Sequence, residues 1–442
     1  MIDIHLAREN PGAVKTALGR RGVEPSEVDR LLEADDRRRE HMTRRDELRA
    51  RIKDLSRQVG EARRGGDTAR AAELAEQSRA LGDEEKAAND VAEAAHAEVR
   101  ERLLWLPNLP SEDAPDGAGP EDNVMVRRWP SEERSYAEHQ RVPHWEVGKE
   151  LAILDLERGA KLSGSMFPLY RGAGARLLRA LTTFALERHT EPSGEGSFDE
   201  AFEEVRPPTL VRTETMVSTG HLPKFSDEAY HVERDDLWAI PTAEVPLTSM
   251  YRDEILDEAA LPLRLTAFTA CYRREAGAAG RDTRGVLRVH EFDKVELFVY
   301  ATASQAPGLH AEMLRRAEEI VEAVGLEYRV LDLCAGDLGT ASARTFDIEV
   351  YAPGCDMWLE VSSVSWCTDY QARRANIRYR RSEGGQPVAV HTLNGSALAW
   401  GRLWAALVES GRQEDGSVVL PEVLAPYLGG RTVIGVPSGR GE

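Results

Sequence analysis

Residues 271–296 read CYRREAGAAGRDTRGVLRVHEFDKVE. Apolar alternation at Leu265–Tyr272 and again at Val286–Phe292 predicts two strands on either side of a loop rich in arginine and glycine. Arg273, Arg274, Arg281 and Arg284 fall in that loop, Arg288 opens the second strand, and Gly277, Gly280 and Gly285 lie among them. Such a pair forms an antiparallel hairpin that presents guanidiniums, whose planar fork matches phosphate oxygens bidentately. Arginine-rich hairpins also occur on solvated surfaces, so the loop by itself leaves both readings open.

Outward from the hairpin, strands and helices are mixed. Alternation at Ile348–Tyr351 and Trp358–Val361 marks further strands, and amphipathic helices are expected at Gly174–Arg188 and His310–Val324. Hairpin-like strands with helices set among them argue α+β, with a central antiparallel sheet flanked by helices. There is no GxGxxG after a first strand and no GxxxxGK[ST], so dinucleotide-fold and P-loop nucleotide binding have no support.

Residues 28–105 contain no proline, and their glycines are Gly60, Gly65, Gly66 and Gly82. Two long helices are expected, broken at Arg63-Arg64-Gly65-Gly66-Asp67. Leu48, Ile52, Leu55, Val59 and Ala62 space the first by fours and threes. Leu74, Leu81, Ala88 and Ala95 recur every seven residues on the second, with Ala92 and Val99 beside them. That is an antiparallel coiled-coil arm with a narrow seam. Residues 30–64 hold 12 Lys/Arg against 8 Asp/Glu, and residues 67–102 hold 5 against 10. The helices attract one another, and Arg44, Arg45, Arg49, Arg57, Arg63 and Arg64 are candidates for a polyanionic partner; a self-sufficient hairpin with solvated cations is the alternative. The proline-rich stretch Leu106–Pro130 reads as a linker. The domains expected are 1–110, the arm, and 111–442.

The chain has 442 residues and a net charge of −19, which argues against bulk nucleic-acid binding but leaves room for a local basic face. No apolar run reaches the ~20 residues a bilayer requires, and MIDIHLAREN lacks the pattern of a signal peptide. A cytoplasmic protein with no membrane partner is the expectation. Cys271, Cys334, Cys355 and Cys367 form no CxxC pair, so reduced buried thiols are expected and no zinc.

Four blocks carry a resemblance across nearly the whole chain: IPTAEVPLTSMYRDE (Ile240–Glu254), the hairpin from Cys271, WLEVSSVSWCTDYQARR (Trp358–Arg374) and HTLNGSALAWGR (His391–Arg402). In order and spacing the chain resembles the bacterial seryl-tRNA synthetases, of the class II aminoacyl-tRNA synthetases. The hairpin resembles their motif 2. The resemblance implies a class II catalytic domain and a homodimer whose interface includes Gly172–His189. It implies a ligase that activates L-serine with ATP and Mg²⁺ and passes the seryl group to serine tRNA, with DNA not a partner.

By the same resemblance L-serine is bound by Thr242, Ala243, Glu244, Arg273, Glu296 and Ser396. Glu244 and Thr242 would meet the ammonium and Glu296 the hydroxyl. ATP is assigned to Arg273, Arg274, Glu275, Val289, Glu360, Val361, Ser362, Ser363 and Arg402, with Arg273, Arg402 and Glu360 catalytic. Mg²⁺ is assigned to Glu360 and Ser363, and tRNA to the arm arginines. His290 and His391 read as structural, since the sequence gives them no partner for general-base work.

Departures from the family pattern are Ala397 and Trp400 in NGSALAWGR, Val364-Ser365-Trp366-Cys367 after EVSS, and LCAGDLG at Leu333–Gly339. They leave open a specialised second copy, as the sequence leaves open charging of selenocysteine tRNA. A ligase acting on a carrier protein, and a non-catalytic RNA-binding scaffold, are the competing functions. The long arm counts against the first, and retention of Thr242, Glu244, Arg273, Glu296, Glu360 and Arg402 against the second.

Overall fold

The computed structural model describes residues 1–191, 200–276 and 284–435. The middle of the motif 2 loop, with Gly277, Gly280 and Arg281, lies outside the described residues. The chain divides into two compact units, Ile2–Pro107 and Met1 with Asn108–Glu442.

In the first unit, α1 (Ile4–Glu9) and α2 (Pro11–Gly19) precede the long helices α3 (Pro25–Arg64) and α4 (Thr68–Trp105). Helix α3, of 40 residues, is about 60 Å long at the usual rise. The break falls where glycine allows it: Gly66 takes φ +78°, and the Asp67 side chain then caps α4 by accepting from the Arg70 N–H. The expected seam forms unevenly. Val28, Leu31, Ala34 and Leu48 of α3 and Ala71, Leu74, Ala92, Ala95, Val99 and Leu103 of α4 are buried. Ile52, Leu55, Val59, Leu81 and Ala88, farther along the hairpin, are only half-buried. Two helices alone lack a third surface to cover the seam.

The second unit is built on one eight-stranded sheet: β1 (Val124–Trp129), β2 (Glu203–Glu204), β3 (Leu263–Tyr272), β4 (Glu291–Ala301), β5 (Tyr328–Asp332), β6 (Arg344–Ala352), β7 (Met357–Trp366) and β8 (His391–Ala399). The spatial order is β1-β5-β6-β7-β8-β4-β3-β2. Every neighbouring pair is antiparallel except the short edge strand β2, which runs parallel to β3. Helices α5 (His144–Glu150), α6 (Ala173–Thr190), α7 (Glu244–Ser249), α8 (Ala306–Ala323), α9 (Tyr370–Ala375) and α10 (Trp400–Ser410) flank it. Leu177, Phe184, Val295, Met313, Val350 and Trp404 belong to the principal core.

Register places the polar residues. Thr266 pairs with Leu297 across β3–β4, Glu296 with Ser396 across β4–β8, and Asp347 with Ser363 across β6–β7. A bulge at β7 then shifts Glu360 opposite Glu349.

Two expectations are corrected. Val286–His290 is not strand: β4 begins at Glu291, because the Val286 N–H donates to His144 and that of His290 to the Met166 carbonyl instead of to a ladder. The stretch Leu106–Pro130 is not wholly linker, since Val124–Trp129 pairs with β5, and Asn108 donates to the Ala341 and Cys367 carbonyls. Within the chain, Gly172–His189, the segment that the resemblance places at a dimer interface, buries Leu177, Leu181 and Phe184, and Leu178 and Leu186 pack against the core half-buried.

Seam burial sets a stability gradient along the arm. Amide hydrogen exchange followed by mass spectrometry should be faster at residues 52–59 and 81–88 than at 28–34 and 95–103. Uniform protection along both helices would contradict this.

Candidate active site

The motif 2 hairpin, β7 and β8 converge on three adjoining clefts that share one lining residue, Arg273. Its guanidinium lies 5.0 Å from the Phe292 ring centroid, and its Nε donates to the Pro241 carbonyl at 3.4 Å. Among the described residues no carboxylate forms an ion pair with it. A positive charge held over an aromatic face without a counter-ion, where cavities meet, is a receptor for an anion.

The first cleft, of about 250 Å³, is rich in polar side chains, with Phe225 and Ala341 also in its wall. Thr242, Glu244, Lys294, Glu296, Asn394 and Ser396 all line it. Lys294 donates from Nζ to the Thr242 hydroxyl at 2.8 Å and pairs with Glu296, while Thr242 donates to Glu296 at 3.1 Å. Glu244 accepts from the Gln371 amide at 2.6 Å and the Asn394 amide at 3.1 Å. The Gln371 side chain in turn accepts from Thr392 at 2.6 Å. These partners hold each group in one orientation, as a pocket for a small polar ligand requires.

Burial, reinforced by the negative charge of Glu296, pushes the Glu244 carboxyl up to about 7. Across the cleft, burial and then the positive charge of Arg273 push the His221 imidazole down to about 3, so this ring is neutral. A carboxyl left short of a cation and a neutral imidazole beside it suit a ligand that brings its own positive charge.

The second cleft is lined by Arg273, Glu275, Val286, Leu287, Arg288, Val289, Phe292, Glu360, Val361, Ser396 and Arg402, among others. Arg288 holds Glu275 at 2.6 Å. Arg402 donates from Nη1 to the Glu360 carbonyl at 2.8 Å and from Nε to the Leu287 carbonyl at 3.1 Å. The third cleft, beside it, adds Met216, His221, Phe225 and Glu228. Glu360 and Ser363 line the polar cleft, and Asp347 lies behind them. Its Oδ1 is buried without a hydrogen-bond partner, and burial with the Glu360 charge holds its carboxyl well above the usual range.

Thr242, Glu244, Arg273, Glu296 and Ser396 are thus brought together, as are Glu275, Val289, Glu360, Val361 and Arg402. Ser396 sits on β8, not in a loop. Three anticipated residues stand apart: the Ala243 side chain is in the core, Ser362 turns inward to donate to the Ser396 carbonyl, and Arg274 lines none of the three clefts. Lys294, Gln371, Asn394 and His221 were missed. Period-two spacing could have found two of them, since Lys294 precedes Glu296, and Asn394 precedes Ser396, by two residues on a strand. His290 and His391 bond the Arg273 carbonyl and the Trp366 indole, consistent with structural roles.

On the arm, Arg44, Arg45, Arg49 and Arg57 already pair with carboxylates of the arm itself. Arg63 and Arg64 are exposed and, among the described residues, in no ion pair.

A Glu244 acid weaker in the folded than in the unfolded chain binds extra protons between about pH 4.5 and 7, so its contribution to stability falls as pH rises through that window. Glu244→Gln keeps the acceptor for Gln371 and should remove this loss. Denaturant midpoints should show the variant more stable than wild type by about 1–3 kcal/mol at pH 8, with the gap closing towards pH 5. A gap that does not change with pH would overturn it.

Comparison with known proteins agrees with this architecture. Residues 1–110 match the model of the seryl-tRNA synthetase N-terminal domain, and residues 228–411 that of the tRNA synthetase class II core domain (G, H, P, S and T). The serine–tRNA ligase of Thermoanaerobacter pseudethanolicus is 45% identical over 429 residues, 97% of this chain and 98% of that one. The crystal structure of seryl-tRNA synthetase from Pyrococcus horikoshii complexed with ATP superposes with a TM-score of 0.89 at 36% identity, covering 99% of this chain and 100% of that one. The cytoplasmic serine–tRNA ligase from Naegleria fowleri in complex with AMP gives 0.84 at 27% identity, covering 99% of each.

Proposed function

The chain belongs to the seryl-tRNA synthetases and is an ATP-dependent serine–tRNA ligase, and on that premise we propose which groups carry each half-reaction. The observation that carries the assignment is Arg273, charged, without an ion-pair partner among the described residues, and shared by all three clefts.

Serine occupies the polar cleft, its ammonium at Glu244 and Thr242 and its hydroxyl at Glu296 and Ser396. ATP, the nucleotide of the Pyrococcus complex, occupies the clefts lined by Glu275, Val289, Val361 and Arg402. Arg273 at the junction holds the serine carboxylate near the α-phosphate. A carboxylate oxygen attacks phosphorus, the bond to the leaving pyrophosphate breaks, and seryl-adenylate results. In the second step a terminal ribose hydroxyl of serine tRNA attacks the seryl carbonyl and AMP leaves. The protein contributes position and charge, so no nucleophilic side chain is required.

Glu360 and Ser363 offer the hard oxygens Mg²⁺ prefers, and the partnerless Asp347 Oδ1 behind them makes the group a fit for a cation. When bound, the ion would neutralise phosphate charge. We assign residues 1–110 to tRNA binding and 111–442 to catalysis. We propose a cytoplasmic homodimer; Val124, Met125 and Val126, exposed on edge strand β1, are apolar surface a second copy would cover. Among the described residues no helix is long and apolar enough to cross a membrane.

The departures at Ala397, Trp400 and Trp366 give no ground for a specialised copy. Ala397 and Trp400 are buried in the core and Trp366 donates to His391, and none lines a cleft.

Arg273→Ala should lower serine-dependent ATP–pyrophosphate exchange by about 10²–10³-fold with the far-UV spectrum unchanged. Exchange near the wild-type rate would overturn the assignment.

Replacing Arg63 and Arg64 with glutamine should weaken tRNA binding and flatten its log–log salt dependence by about two units, with exchange unaffected. An unchanged slope would place the tRNA elsewhere.

A further inference from the structure

Outside the three clefts, one buried polar cluster ties together four parts of the catalytic unit. We propose that His144 and Glu409 are a positioning pair that holds the backbone wall of the nucleotide cleft at Val286–Leu287. The inference rests on the assignment of that cleft to ATP.

His144, on α5, and Glu409, near the end of α10, have fully buried side chains. Val286 donates its backbone N–H to His144 Nε2 at 3.1 Å. A backbone N–H can only donate, so Nε2 carries the lone pair and the ring proton sits on Nδ1. That proton meets Glu409 Oε1 at 2.8 Å. Glu409 is fixed in turn: Oε1 accepts from the His144 N–H at 2.9 Å and the Cys355 thiol at 3.0 Å, and Oε2 from the Gly354 N–H at 2.8 Å. The tautomer and the ring angle are therefore both determined by Glu409.

Val286 and Leu287 both line the cleft. One residue is held from each side, because Arg402 donates to the Leu287 carbonyl. Arg402 lies near the start of α10 and Glu409 near its end, so a single helix clamps this backbone directly at one point and through His144 at the other. Gly285 admits the clamp: its φ is +75°, and a Cβ there would lie 2.2 Å from His144 Nε2. The clamp also explains why the Val286 stretch leaves the strand ladder.

The Cys355 thiol, His144 Nδ1 and a Glu409 oxygen lie within 4.8 Å of one another, the right atoms for a metal. Hydrogen bonds already engage each of them, so the cluster is complete without an ion.

The test is pyrophosphate exchange with full-length His144→Ala, His144→Asn, His144→Gln and Arg402→Ala. Asparagine still reaches Glu409 but is too short for Val286; glutamine can accept from Val286 and donate to Glu409. Ala and Asn should raise the KM for ATP about five- to tenfold, with the KM for serine within twofold, and Gln should stay near wild type. If the Ala variant fails to fold, the contrast of Asn with Gln decides. Equal effects of Asn and Gln, or parallel rises in both KM values, overturn the positioning role. A raised KM for ATP in Arg402→Ala alone also overturns it and leaves the cleft assignment standing; no change in any variant removes the cleft assignment itself. One equivalent of zinc in the purified protein would replace the clamp with a metal site.

Discussion

Everything in the catalytic unit is arranged around a costly act, the burial of Lys294 and Glu296 two residues apart on a strand in the body of the sheet. Removing two opposite charges from water costs several kcal/mol each unless their remaining hydrogen-bonding capacity is met. Thr242 meets it by accepting from Lys294 and donating to Glu296. Thr242 stands just before α7, so the pair fixes that helix to β4. Antiparallel register then sets Ser396 beside Glu296 in the wall of the first cleft. A slip of β4 by one residue would turn Lys294 and Glu296 away together, and a slip of β8 would do the same to Asn394 and Ser396.

This dependence explains which parts of the molecule were legible in the sequence. The helical arm could be read because its information is local: absence of proline, heptad spacing, and glycines at the turn. The α+β class could be read for the same reason. Lying within a quoted motif was not enough to be found: Gln371, which supports Glu244 from α9, sits inside Trp358–Arg374 and was missed, because nothing in the chain order joins positions 244 and 371. The misread strand at Val286–His290 is instructive. Its apolar alternation is genuine, but tertiary donors and acceptors, His144 above all, outcompete the ladder. Val124–Trp129 was lost in the opposite way, since the surrounding prolines outweighed a short apolar run that finds its partner two hundred residues later.

The arm shows why charge counts mislead until side chains are placed. Its first helix has a surplus of cations, yet Arg49 and Arg57 spend their charge on Glu85 and Asp54. Exposed pairs of this kind are worth no more than about 1 kcal/mol, so a phosphate could displace the carboxylate at little cost. The pairs keep the arginines ordered and the arm soluble without removing them from reach. Arg63 and Arg64, exposed at the end of α3 and in no ion pair among the described residues, need no such exchange.

The two sides of the proposed reaction are prepared differently. At Arg273 the charge is present before any ligand arrives, and the Phe292 ring holds it without neutralising it. At Glu244 the charge is withheld, since burial keeps the carboxyl near neutrality. An incoming ammonium supplies the missing cation and favours ionisation, so binding of an amino acid and creation of its own counter-charge are one event. A ligand without an ammonium gains no such ionisation and would leave the Gln371 and Asn394 amides bonded to an uncharged acceptor. On the proposed assignment, selection for an amino acid arises from the cost of an unpaired charge, and selection for its hydroxyl from the fixed orientation of Glu296. Both trace back to carboxyls whose partners the sheet register holds in place.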